Sequence, residues 1–475
     1  MSRPYYVSQT TVLTVFCASV LLGLALARRV YFQPWWVAGC IVIPFVRKST
    51  VGLIAIVLCG ILLGVWRGSI FMNRLTDYQK LFKQPVILRA QADNDAIYGK
   101  QSQLSFDVVN VVVIKPKQQT LAGKVKVEGI GAAMVYRGDR LLITGRMSPT
   151  KGSAQAKVSF AKLQVVNRGH SLIDTFRRRF IAGLQSSLPE PEASFGAGLL
   201  IGQRSTIPKD INDQLSITGL THLVAVSGYN LTIIIMAVRQ IFGRRSKFQS
   251  TTAALCLVLL FIVITGLSAS IIRAALVSCM SLLAWYYGRQ FKPLLLIVLA
   301  AALTAFWNPF YLWSDIGWYL SFLAFFGVLL VAPLLVVLLA RGKKPKTISA
   351  LLAETIAAQA MTLPIIMYIF GRISVVGLVA NILVVPLVPL AMLLTLLAGM
   401  SGMIAVAIAG WPAWPARILL TYMIDLTGIL SRLPHAAAQH TIALSTMLWA
   451  YLALVCCLVL ARWLRTRQNS SKMIE

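Results

Sequence analysis

Between residues 218 and 236 the chain reads TGLTHLVAVSGYNLTIIIM, an apolar stretch of membrane quality that carries His222, Ser227 and Asn230 with three Thr and two Gly. In hydrocarbon each hydrogen-bonding group must find a partner or a water-filled cavity, so such a cluster marks a path for a polar solute. A single Ser or Thr is read more plainly, as a hydroxyl bonded back to its own helix or a small residue that lets helices approach. For the imidazole, hydroxyl and amide together, transport is the leading expectation.

The elements that would hold these groups are membrane helices. Of 475 residues 57% are hydrophobic and 13% charged, with a mean hydropathy of +0.75. Apolar runs of spanning length recur through the second half, the composition of a polytopic helical membrane protein. Lys and Arg number 45 against 15 Asp and Glu, a net charge of +30, which suggests a polyanionic partner or anionic membrane lipids. The seven cysteines fall in expected spans and read as small buried residues, with no CxxC pair. Four scattered histidines assemble no metal site by spacing, so neither metal nor cofactor is expected.

Residues 1–69 hold three apolar segments, at about 11–27, 34–46 and 51–66, the middle one short for a span. From 70 to 170 the character changes. PVILRAQAD, QLSFDVVNVVVI, GKVKVEG, GDRLLITGRM and AKVSFAKLQVV alternate at period two between turn residues. Five such strands fit a small OB-like β-barrel, and an open sandwich fits them too. The segment holds 16 Lys or Arg and 6 Asp or Glu. Lys115, Lys117, Lys124, Lys126, Arg137, Arg140 and Arg146 interleave with Phe106, Tyr98 and Tyr136, the mixture a single-strand platform uses to attract phosphates and stack bases. A solvated basic surface over core aromatics has the same composition.

Residues 171–190 are expected to form an interfacial amphipathic helix, with Leu172, Ile173, Phe176, Phe180, Ile181 and Leu184 on one face and Arg177–Arg179 toward the other. A helical domain follows over 191–462, then a basic tail over 463–475. Basic clusters at 239–247, 289–292, 341–346 and 462–472 alternate with weakly charged loops near 307–315 and 431–442. The positive-inside rule puts the basic set and the C-terminus in the cytoplasm and the β-insert outside.

The order of motifs resembles a known family. FGAGLLIGQRSTIPKDINDQLSITGLTHLVAVSGYNLTIII, from Phe195 to Ile235, is similar to the hallmark of the ComEC family, the membrane channel of natural competence. GLSASIIRAALVSCM with Arg273, the GR at Gly288 and Arg289, NPFYLWSDIGWYLSFLAFFGVLLVAP with Asp315 and Ser321, AETIAAQAMTLPIIMYIFGRIS and LVANILVVPLVPLAM follow in the family's order. The resemblance covers roughly residues 190–400, and a basic OB-like insert after the first spans fits it. Many members carry His where this chain has Asn230, which cannot titrate. The family's appended metallo-β-lactamase-like domain, with its H-x-H-x-D-H run, has no counterpart here. The expectation is therefore no enzymatic activity, with strand degradation left to a separate nuclease.

The resemblance implies a channel that passes single-stranded DNA into the cytoplasm, received outside by the β-domain. Such a strand needs a positively biased path, because an unpaired charge at the bilayer centre costs at least about 3 kcal/mol. Arg204, Arg273, Lys209 and Arg289 are candidates for phosphate contact; Trp285, Tyr286, Trp318, Tyr319 and Tyr229 are candidate walls, against a plainer role in packing and interface belts. Arg273 lies inside an apolar run and requires an acid or a phosphate. An ion pair with Asp315 or Glu354 and direct DNA contact both remain open. Gln359, Asn381 and Ser227 read as helix glue where Gly219, Gly228, Pro364 and Pro386 interrupt helices. With no GxxxxGK[ST] motif, pulling by ATP would come from a cytoplasmic motor partner, beside a separate external DNA receptor or nuclease. Two other readings stay in view: a secondary transporter of a smaller anion such as a nucleotide, and a pore-less membrane-anchored DNA-binding protein.

Overall fold

The computed structural model describes residues 8–29, 50–98, 103–130, 135–150, 152–169, 171–204, 206–224, 228–242, 246–266, 269–289, 292–340, 347–405 and 408–471. The short apolar segment at 34–46 and Ser227 lie outside them. The chain divides into two compact units, one of residues 1–207, 225–318 and 395–413, the other of 208–224, 319–394 and 414–475.

The first unit opens with two apolar helices, α1 (Gln9–Leu26) and α2 (Thr50–Gln79). Ser8 caps α1 by accepting from Thr11 N at 3.2 Å. The two helices pack backbone to backbone: a β-carbon at Gly64 or Gly23 would overlap a main-chain carbonyl of the other helix. Small residues supply this contact where no hydrophobic effect drives helices together.

The β-domain follows: β1 (Pro85–Ala92), β2 (Ile97–Tyr98), β3 (Leu104–Lys115), β4 (Gln119–Leu121), β5 (Val125–Ile130), β6 (Arg140–Ser148) and β7 (Ala156–Asn167). They form one seven-stranded sheet in the order β1-β6-β7-β5-β3-β2, with β4 on β3 and a further pairing of β1 with β3. The five alternating segments of the sequence are the five long strands, and β2 and β4 are additions too short for alternation to reveal. Its core is Leu88, Leu104, Val108, Leu141, Ile143 and their neighbours, extended by Phe71, Leu75 and Tyr78 from the end of α2.

Next come α3 (Leu172–Ser187) and α4 (Glu192–Ile201). Phe180, Gly183 and Leu184 of α3 are buried, and a β-carbon at Gly402 would overlap the Gly183 carbonyl oxygen. Arg177, expected on the polar face, is buried as well, while Leu172, Ile173 and Phe176 are exposed. The helix is thus bare at its first turn and sunk into the protein along one side from Arg177 onward.

In the second unit, α5 (Lys209–Ile217) and α6 (Thr221–Val224) precede α7 (Gly228–Phe242) of the first. The first unit continues with α8 (Lys247–Thr265), α9 (Ala269–Tyr286), α10 (Pro293–Trp307) and α11 (Phe310–Ser314). Then α12 (Ile316–Phe326) runs through a π-helical turn at Gly327–Val331 into α13 (Ala332–Ala340), followed by α14 (Thr347–Phe370). The remaining elements are β8 (Arg372–Ser374), α15 (Gly377–Val384), α16 (Val388–Ile404), α17 (Gly410–Ser431), β9 (Ala437–Gln439) and α18 (Leu444–Ser471), with β8 and β9 antiparallel. Among the described residues seven helical stretches are long and apolar enough to cross a membrane: Gln9–Leu26, Gly52–Gln79, Lys247–Thr265, Ile316–Val337, Ser349–Phe370, Gly377–Ile404 and Leu444–Ala461. Glu192–Ile201, Ser270–Tyr286 and Pro293–Trp307 are shorter apolar helices.

Candidate functional site

On the β-domain the basic side chains have different employment. Lys115 and Lys117 are exposed between β3 and β4, and Arg140 and Arg146 are exposed on β6. Lys124 pairs with Asp93. Lys126 and Lys157 share the Glu128 carboxylate, Lys126 at 3.3 Å. Partial burial pushes the Glu128 pKa up, but the hydrogen bonds and charges of Lys157 and Lys126 outweigh it and hold the carboxyl below its ordinary value. Phe106 is 2% exposed in the domain core, so its ring face is out of reach of a base. Tyr136 is half-buried beneath the Arg168 guanidinium, 5.4 Å from the ring centroid.

Arg137 is an anchor. Its N–H donates to Asp95 Oδ1 at 2.9 Å, and its Nη1 donates to the carbonyls of Val263 at 3.2 Å and Ile264 at 3.4 Å, at the C-terminal end of α8. A guanidinium there completes carbonyls the helix leaves unpaired and meets the negative end of its dipole. Arg177 Nη2 donates to Asp95 Oδ2 at 2.7 Å, so one aspartate ties the β-domain to α3 and orients the arginine that reaches α8. Loops of the same unit meet the domain elsewhere: Ser314 Oγ donates to Gly152 O at 2.6 Å and Asn308 Nδ2 to Ser153 O at 3.5 Å.

Four membrane-domain candidates lie in the first unit. Arg204 is half-buried just past Gly202, which ends α4 with φ +79°. Asn230 is 2% exposed and donates from Nδ2 to Leu199 O at 3.0 Å, tying α7 to α4. Arg273 is 8% exposed on the second turn of α9. Its Nη2 donates to Ser270 Oγ at 3.3 Å and lies 3.6 Å from where a Gly228 β-carbon would stand. Asp315 caps α12: Oδ1 accepts from Trp318 N at 3.1 Å. The described ion pairs involve the β-domain, the end of α2 and α3.

His222, Gln359, Asn381, Glu354 and Lys209 lie in the second unit. His222 is exposed on α6, its Nδ1 3.0 Å from Gly219 O. Gly219 has φ +74°, and a β-carbon there would come 3.2 Å from Ser374 Cβ. Gly377, opening α15, faces Ser374 Oγ and Gln359 Nε2. The turn before His222, Gln359 and the start of α15 thus converge. Asn381 lies one turn further along α15, with Oδ1 buried. Glu354 is exposed on α14, separate from that convergence. Of the candidate walls, Trp318 is buried with its Nε1 donating to Thr304 Oγ1 at 2.9 Å, and Trp285 lies under the Arg239 guanidinium at 4.5 Å. Lys209 and Arg289 are exposed, at the first turn of α5 and just beyond α9.

One exposed aromatic of the β-domain escaped the reading of the sequence. Phe160 on β7 is 83% exposed with φ +53°. Strict alternation from Val158 turns it inward; the register shift between the partners of Val158 and Ala161 turns it out. The signal was Gly129 and Gly145 on the flanking strands, where small residues leave room for a bulge.

Seven spanning-length helices and a basic β-domain define a polytopic membrane protein with a large polar insert. Residues 199–465 match the family model described as Competence protein, over more than half of the chain, and the chain belongs to that family, that of ComEC. It is 26% identical over 215 residues to ComE operon protein 3 of Bacillus subtilis (strain 168), a match covering 45% of this chain and 27% of that relative. The chain therefore aligns with well under two thirds of the relative's length. No solved structure matches it.

Proposed function

We propose that the protein takes part in competence DNA uptake as a channel that passes single-stranded DNA into the cytoplasm, with the β-domain outside as its receiving surface. The observation that carries this reading is the docking of the β-domain through Arg137 on the end of α8. The next helix begins at Ala269, with Arg273 one turn in. A basic receptor surface and a buried membrane arginine thus belong to one continuous unit, the order a strand of phosphates would meet them. The segments that touch the β-domain, the C-terminal end of α8 and the stretch around α11, carry little charge, which supports an outside location for all three.

We read the β-domain as OB-like. In support, the five long strands pair in a cycle: β1 with β3, β3 with β5, β5 in parallel with β7, β7 with β6, and β6 with β1. In this reading a cytoplasmic ATP-driven motor pulls the strand, and a separate nuclease removes its complement.

Proteoliposomes carrying the full chain test the proposal. A biotin-tagged oligonucleotide and a tagged mononucleotide are offered outside vesicles loaded with avidin. Passage of the single strand, reduced at least tenfold by Arg273→Ala, is the expected result. Passage of the mononucleotide alone would point to a small-anion transporter; strand binding with no passage of either would point to a pore-less anchor.

A further inference from the structure

We propose that Phe160 and the basic outer face of β5, β7 and β6 form the base-stacking site of the β-domain, taking a single strand of nucleic acid. The inference rests on the DNA-uptake reading above and names the surface that would do the binding.

Three observations converge on this residue. A bulky side chain at φ +53° occupies backbone that only Gly visits readily, a cost of about 1–2 kcal/mol that persists only where surrounding structure imposes it. Here the surroundings do impose it. A β-carbon at Gly129 of β5 would overlap the Ala161 carbonyl, and one at Gly145 of β6 would stand 2.6 Å from Val158 Cγ1 and 3.0 Å from Ser159 O. Glycine on both flanking strands makes the bulge a built feature, and bulges serve to re-aim a side chain. What is aimed outward is an aromatic ring, 83% exposed.

Its surroundings set the partner. Along β7 the ring stands between Lys157 and Lys162; on β6, Arg146 is opposite Ser159; on β5, Lys126 is opposite Lys157. Only Glu128 interrupts this positive field, and it is held by Lys126 and Lys157. A flat apolar ring among cations is what a single strand requires, bases on the ring and phosphates on the ammonium and guanidinium groups. A lipid surface also suits cations, but one ring on a sheet face buries too little apolar area to anchor a domain. Phe106 lies in the core and Tyr136 lies under Arg168, which leaves Phe160 as the ring with its face free among these three.

The test uses the full chain in nanodiscs of zwitterionic lipid, with fluorescence anisotropy of a labelled oligothymidine and an abasic strand of equal length. Phe160→Ala is expected to weaken the oligothymidine roughly tenfold to a hundredfold and leave the abasic strand and the salt slope unchanged. Phe160→Trp should retain affinity. Phe160→Gly, which relieves the backbone, should lose it, so that loss cannot be ascribed to misfolding. Equal effects on both strands, or none on either while the wild type binds, would overturn the stacking site and leave the DNA-uptake reading standing. If the wild type bound neither strand, both would fall, and flotation of wild type and Phe160→Ala with anionic vesicles would show whether the ring serves lipid instead.

Discussion

Glu128 is the residue at which stability and binding oppose each other. Its folded pKa is depressed below the ordinary 4.5 by Lys157 and Lys126. The stabilisation from these pairs is thus fully present above the unfolded value and lost as pH falls through the folded one. Lys126 is 40% exposed, so screening keeps the sum to about 1 kcal/mol or less. Glu128→Gln should therefore speed amide exchange in β5 and β7 slightly at pH 7, with the difference from wild type lost as the pH falls through the depressed folded value of the carboxyl. The same change releases two lysines and should raise strand affinity. Unchanged exchange at pH 7 would mean the pairs contribute nothing. Individual side chains were the least legible part of the sequence. Lys, Arg and aromatics were visible as types, but composition does not distinguish Arg137, which is occupied by α8 carbonyls, from Arg146, which is exposed. Phe106 and Phe160 both stand in alternating runs; only a bulge, visible as glycines on other strands, reverses the outcome for the second.

At the scale of elements, the junction of the β-domain with the membrane helices depends on Asp95, which binds the Arg137 backbone and the Arg177 side chain at once. Burial pushes the Arg177 pKa down, and Asp95 opposes it; removing the acid would leave a buried cation without its carboxylate. Asp95→Ala should cost about 3 kcal/mol or more locally, seen as faster exchange at the start of α3 and the end of α8 together. Arg137→Ala should loosen only α8, by about 1–2 kcal/mol. Loosening confined to α3 in the Asp95 variant would show that the junction is not shared. The long strands were legible because period-two alternation is a local signal. The burial of Arg177 was not, because its reason lies in a turn some eighty residues earlier, and three consecutive arginines read naturally as a solvated face.

At the scale of the whole molecule, the proposed membrane topology rests on which segments touch the β-domain. Gly152 and Ser153 accept from Ser314 and Asn308, and Arg137 reaches the end of α8. Hence the β-domain, the C-terminal end of α8 and the segment around α11 share one side of the first unit. The far ends of α8 and α9 carry Lys247 and Arg289. Because positively charged loops are retained in the cytoplasm, the proposed topology keeps the β-domain side outside, even though its own charge is strongly positive; a long folded domain can translocate despite its charge. Hydropathy alone made the spanning helices legible, whereas short, polar or broken helices such as α6 and α15 depend on packing that a window average does not see. The assignment is open to direct labelling. In a functional background with the seven native cysteines replaced, Lys162→Cys should react with a membrane-impermeant maleimide added to intact cells, and Arg289→Cys should react only after permeabilisation. The reverse pattern would invert the protein and remove the β-domain as a receiving surface. Labelling of both from outside would mean that α9 does not cross, and that Arg273 lies in a re-entrant segment rather than on a spanning helix.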